Sequence, residues 1–125
     1  MFANLGVDHS IGEFYANGGY TIRNGKSFAL YRVPWWPGVP TDAASNALYD
    51  GNGTYDGFLP TFETAISDWI LTAGNIFNIN DWSIDVSATA GNNNVDYTVG
   101  NTINPSLGAS SPTSFNVGGY SLVIW

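Results

Sequence analysis

The chain has 125 residues and a net charge of −7, with only three Lys or Arg, one His and no Cys, against five Trp, seven Tyr and seven Phe. The missing Cys excludes a disulfide scaffold, thiol chemistry and thiolate metal sites, and three cations (Arg23, Lys26, Arg32) against ten carboxylates exclude a phosphate-neutralising nucleic-acid surface and attraction to anionic membranes. Residues that anchor interfaces are plentiful and residues that move protons are scarce, so the composition points to a protein that packs against something rather than one that transforms it.

This length suits a single domain over residues 1–125 with one core. Met1–Asp8 has no basic region and no sustained apolar run, which is unlike a secretory signal. No stretch approaches the ~18 apolar residues of a helical membrane span. The expectation is a chain made in the cytoplasm as a soluble protein, with neither nucleic acid nor membrane as partner.

In chain order, Phe14–Ile22 is apolar and aromatic, interrupted by Asn17-Gly18-Gly19, a hairpin-turn signal repeated at Asn24-Gly25. Ser27–Val33 alternates imperfectly and reads as a strand, ended by Pro34, Pro37 and Pro40 because proline cannot donate to a ladder. Thr41–Phe58 is small, polar and Gly-rich, and reads as a long surface loop.

A helix is expected over about residues 61–73. Thr61 suits the N-cap, Glu63 the positive end of the dipole and Gly74 the left-handed C′ position. Phe62, Ile66, Trp69, Ile70 and Ala73 share one face at the 3.6-residue period and predict its buried side; Leu71 lies opposite and does not fit.

Trp82–Thr89 alternates cleanly, with Trp82, Ile84, Val86 and Ala88 on one face of a half-buried strand. Gly91-Asn92-Asn93-Asn94 reads as a turn, returning Val95–Val99 as the second arm of a hairpin. Asn101–Thr113 is a Pro, Ser and Gly loop, and Gly119–Trp125 a final strand whose continuous apolar end fits cover on both faces.

The sharpest local feature is the Trp35-Trp36 pair among Pro34, Pro37 and Pro40. A stiff extended backbone presenting two indoles loses little entropy on binding. It suits an interface anchor or a stacking platform for sugars, while folding of one indole onto the core is the alternative. Asp50, Asn52, Thr54 and Asp56 resemble the opening of a calcium loop, but Tyr55 and Thr61 stand where an EF-hand has Gly and Glu, so a turn cluster is the better reading. Asn52-Gly53-Thr54 is a glycosylation sequon without a secretory signal beside it. His9, between Asp8 and Glu13, has no second His to complete a metal site, and Asp81 with Asp85 reads as a solvated strand face rather than a glycosidase pair. No catalytic residue, metal or cofactor is expected.

These readings combine into a mainly β domain, an antiparallel sandwich or barrel-like sheet carrying the one helix, with a single sheet backed by the helix as the competing architecture. The expected function is non-enzymatic. The chain would be a structural subunit, such as a capsid decoration or other head or tail component of a virion, homo-oligomeric or docked on a host particle. Its expected interface is Trp35, Trp36, Leu122, Val123, Ile124 and Trp125. A carbohydrate-binding module, which would place the chain outside the cell, is the alternative.

Overall fold

Thr64, Ile66, Trp69 and Ile70 carry side chains that favour pleated backbone. In the computed structural model, which describes residues 1–39, 46–49 and 55–125, they lie in a long strand, β3 (Thr61–Ile79). The other strands are β1 (Phe2–His9), β2 (Gly12–Phe28), β4 (Trp82–Gly100) and β5 (Ser114–Ile124). All five form one antiparallel sheet in the order β1-β2-β3-β4-β5, so every strand pairs with its sequence neighbour. A 3-10 segment, Pro105–Ser110, capped by the Asn104 side chain, lies before β5.

The mainly β, antiparallel expectation stands, but the sheet is open, with β1 and β5 as its edges, and closes into neither sandwich nor barrel. The expected helix over residues 61–73 is strand throughout. Phe62, Ile66 and Ile70 are spaced by four, which satisfies both the helical period and the two-residue period of a strand. The strand separates them from Trp69, which shares its face with Leu71 and Ala73, so the residue that did not fit the helix is in step with its neighbours. The Thr61 hydroxyl donates to Glu63 Oε1 at 3.1 Å, two residues along extended chain, and caps nothing.

The expected turns are also strand. Asn17-Gly18-Gly19 and Asn24-Gly25 lie inside β2, and Gly91–Asn94 lies inside β4, so the expected hairpin between Trp82–Thr89 and Val95–Val99 is one continuous strand. At Gly19 and Gly91 the glycine serves close approach. A Cβ at Gly19 would stand 2.4 Å from the Phe2 ring, and one at Gly91 would stand 3.1 Å from the Trp69 carbonyl. The tight turns fall elsewhere, at Ser10-Ile11 between β1 and β2 and at Asn80-Asp81 between β3 and β4, where Asn80 adopts a φ of 52°.

Two compact units share these strands. The first holds residues 1–23, 66–95 and 120–125, and the second residues 24–65 and 96–119. Among the described residues the buried hydrophobic side chains are Phe58, Val95 and Ile103, and no large side chain is fully buried. The chain exposes 8529 Å², against ~6,500 Å² for a typical folded monomer of this mass.

Candidate functional site

The first unit is a sheet with two unlike faces. Register fixes which residues share each face. In the β1–β2 pair, Leu5 lies opposite Ala16 and Val7 opposite Phe14. Between β2 and β3, the Asn78 amide donates to the Ile11 carbonyl at 2.8 Å. Between β3 and β4, Thr72 and Thr89 hydroxyls meet at 2.9 Å, and Asn93 donates to Asp68.

One face is laced by side-chain hydrogen bonds around an apolar patch of Phe2, Ile70, Leu122 and Ile124. Arg23 Nη2 reaches Asp68 Oδ2 at 2.8 Å, and Asn93 donates to the other oxygen of the same carboxylate. The Tyr15 hydroxyl donates to Asp85, 3.0 and 3.2 Å from its two oxygens. A hollow of about 250 Å³ runs across this face from Phe2 on β1 to Leu122 and Ile124 on β5, over Gly19 and Gly91. One hollow reaching both edge strands makes this face concave and the opposite face convex.

The convex face is apolar from edge to edge. Leu5 and Val7 on β1, Leu71 on β3, Ile84 and Val86 on β4 and Val123 on β5 are all exposed. Its polar pairs are self-satisfied: Asn75 Oδ1 accepts from His9 Nε2 at 3.1 Å, with the His9 ring edge-on to Phe77, and Asn92 Nδ2 donates to the Ser121 hydroxyl at 2.9 Å.

The expected interface residues divide between the units. Leu122, Val123, Ile124 and Trp125 lie in or just past edge strand β5 and are exposed. The continuous apolar run that fitted cover on both faces therefore has no cover from its own chain. By alternation Leu122 and Ile124 belong to the concave face, Val123 and Trp125 to the convex one. In the second unit the Trp pair splits: Trp35 is 78% exposed, while Arg32 lies over the Trp36 ring at 5.7 Å.

The second unit otherwise fastens to itself. Arg32 and Phe58 exchange backbone hydrogen bonds of 2.7 and 3.0 Å, and the Tyr31 hydroxyl donates to the Asp56 carbonyl at 2.9 Å. Burial pushes the Tyr55 hydroxyl above the usual tyrosine range. Lys26 Nζ lies 2.8 Å from Glu63 Oε1, and this hydrogen bond, followed by the one from Thr61, holds the Glu63 carboxyl below the usual range.

Of the weaker candidates, His9 is engaged with Asn75, and Asp85 is held by Tyr15 while Asp81 sits in a turn. No cluster of three or more His, Asp or Glu suited to a metal occurs among the described residues. The calcium-like stretch and the sequon fall mostly on residues 50–54, outside the described residues, as does much of the expected loop from Thr41.

Sequence reasoning missed the convex face as a whole. Its signal was present in the alternation of Trp82–Thr89 and would have emerged had residues 69–79 been read with a period of two. No helix among the described residues is long and apolar enough to cross a membrane. No family model matches the chain, and no curated protein or solved structure matches it either.

Proposed function

We propose that the protein is a non-enzymatic structural subunit whose sheet is completed by strands from other subunits, in the simplest case further copies of itself. The observation that carries this reading is the first unit's sheet. Both of its edges are open, and one face is apolar and uncovered. An unprotected edge templates pairing. β1 has neither Pro nor Lys to block it, and β5 ends in Leu122, Val123 and Ile124, with Trp125 just past it. A virion accessory subunit, made in the host cytoplasm, is one setting for such a chain.

Because the chain has no Cys, single cysteines can be placed cleanly at the two edges. Asn4→Cys on β1 and Leu122→Cys on β5, mixed and oxidised, should give a disulfide-linked dimer, and the double variant a ladder. Light scattering on the wild type, in buffer and in mild detergent, should give a mass of several protomers. A one-protomer mass at every concentration in both media, without cross-linking, refutes the proposal.

A second reading, carbohydrate binding through the Pro-flanked loop, draws on the exposure of the Trp35 indole. Glycan binding abolished by Trp35→Ala would favour it.

A further inference from the structure

We propose that a hollow in the second unit binds an acidic sugar, with Arg32 holding the carboxylate and Trp36 packing against the ring that bears it. The inference rests on the carbohydrate reading, to which it gives a site and a ligand class, and is independent of the assembly reading.

The hollow measures about 250 Å³, and Arg32, Trp36, Pro37, Phe58, Thr102 and Ile103 are among the residues that line it. Sites for drug-sized ligands run from ~300 to ~1,000 Å³, so this one suits a single ring. Its walls are held in place by the rest of the unit. Phe58 and Ile103 are buried hydrophobic residues of the core. Arg32 and Phe58 exchange backbone hydrogen bonds of 2.7 and 3.0 Å. The Trp36 amide closes onto the Val33 carbonyl at 3.2 Å, and the Val39 amide onto the Trp36 carbonyl at 3.1 Å. Pro34 and Pro37 fix the backbone on either side of the Trp pair. Walls set in this way lose little entropy when a ligand binds.

Charge selects the ligand. Of the three cations, Arg23 is paired with Asp68 and Lys26 with Glu63, each at 2.8 Å. Arg32 has no carboxylate at ion-pair distance among the described residues, and its guanidinium lies over the Trp36 ring at 5.7 Å. Contact with a ring face engages the charge of a guanidinium and leaves its in-plane N–H donors for an acceptor. Those donors form a fork that matches the two oxygens of a carboxylate. A polyanion needs several cations to neutralise it, and the net charge of −7 repels it. One arginine suits one negative charge.

Two further features favour a sugar over an aromatic acid. Thr102 brings a hydroxyl to the lining, and a hydroxyl both donates to and accepts from the hydroxyls of a sugar ring. Trp35, directly before Trp36, is 78% exposed. It supplies a second indole on which the neighbouring residue of an oligosaccharide stacks.

The test is calorimetric titration of the full chain with oligosaccharides carrying a uronic or sialic acid, each beside its methyl ester, which keeps the ring and removes the charge. At least one acidic member should bind, and its ester should bind on the order of 10-fold more weakly, as expected for loss of a charge-assisted hydrogen bond. Arg32→Gln should cause the same loss with the thermal melt unchanged, because the backbone bonds to Phe58 remain. Arg32→Lys keeps the charge without the fork and should recover part of the affinity. Added salt should weaken binding of the acid and leave the ester unaffected. Acid and ester binding equally well, with Arg32→Gln silent and Trp35→Ala abolishing both, overturns the proposal and leaves the carbohydrate reading standing. Tighter binding of the acid that survives Arg32→Gln places the site elsewhere and overturns it too. A panel in which no member binds at millimolar concentration overturns the proposal and the carbohydrate reading together, without touching the assembly reading.

Discussion

The two units of this chain solve the burial problem in opposite ways. In residues 24–65 and 96–119, Phe58 and Ile103 are buried, Asn46, Thr61 and Ser111 are buried with them, and backbone bonds join Arg32 to Phe58 and Thr102 to Thr113. In residues 1–23, 66–95 and 120–125, the longest runs of Trp, Leu, Ile and Val stand exposed and Val95 alone is a buried hydrophobe. The apolar side chains are therefore concentrated where the chain does not cover them. A unit that packs on itself is complete as it stands, whereas a sheet with one uncovered apolar face has its stability set by what it meets.

That contrast is broken most directly by deleting one apolar side chain from each unit. Phe58→Ala removes a buried ring from a small core and should cost ~3–4 kcal/mol in the free chain. Ile84→Ala should cost well under ~1 kcal/mol in the same state, because the side chain is already in water. In an assembled state the Ile84 variant should become clearly destabilised. Urea denaturation of both variants at low and high protein concentration checks this. Equal costs in the free chain would mean that the first unit buries its convex face after all.

Backbone geometry sharpens the same comparison. Gly57, in the second unit, has a φ of 106°, and a Cβ there would lie 2.1 Å from the Arg32 carbonyl oxygen. Gly57→Ala should cost on the order of 2–3 kcal/mol through left-handed strain and the displaced Arg32–Phe58 bridge. Gly38 also has a positive φ, 81°, but nothing stands within 4 Å of its Cβ. Its alanine variant should lose only the conformational part, ~1 kcal/mol. Paired thermal melts report the difference.

The concave face offers a smaller effect. Asn93→Ala removes one of the two partners of Asp68 and leaves Arg23 in place. The expected loss is ~1 kcal/mol. Arg23→Ala should cost no more, since the Arg23 side chain is well exposed. A double-mutant cycle on the pair should show coupling, because both side chains address the same carboxylate.

How far these features could be read from the sequence depended on whether one period dominated. Trp82–Thr89 alternates without exception, so its strand character and its apolar face are legible in the residues themselves. β3 was not legible in this way, because Phe62, Ile66 and Ile70 fit both periods and Thr61, Glu63 and Gly74 happen to stand where helix signals belong. Residues that usually punctuate a chain were equally misleading. Asn17-Gly18-Gly19 and Gly91–Asn94 are turn chemistry locally, yet the sheet uses the glycines for close approach and the asparagines as cross-strand donors: Asn92 to Ser121 and Asn93 to Asp68. For the candidate site, residue type singled out Trp35 and Leu122–Trp125 but not their exposure, because apolar side chains are ordinarily covered by their own chain. The convex face required register, which pairs residues far apart in sequence.

The smallest expected effect is the pH response of the Lys26–Glu63 pair in the second unit. Lys26 donates to Glu63 Oε1 at 2.8 Å, Thr61 adds a second hydrogen bond, and the carboxyl is held below its usual range. A depressed folded-state pKa means that the folded form binds the proton less readily than the unfolded chain does. The contribution is therefore complete above the ordinary Glu pKa and is lost as pH falls through the lower folded-state value. Both side chains are well exposed, so solvent screens the pair and the effect is small. Glu63→Gln should leave the denaturation midpoint at low pH almost unchanged and lower it slightly at neutral pH, and added salt should shrink that difference. A Gln variant that loses as much stability in acid as at neutral pH would show that Glu63 acts through packing rather than through its charge.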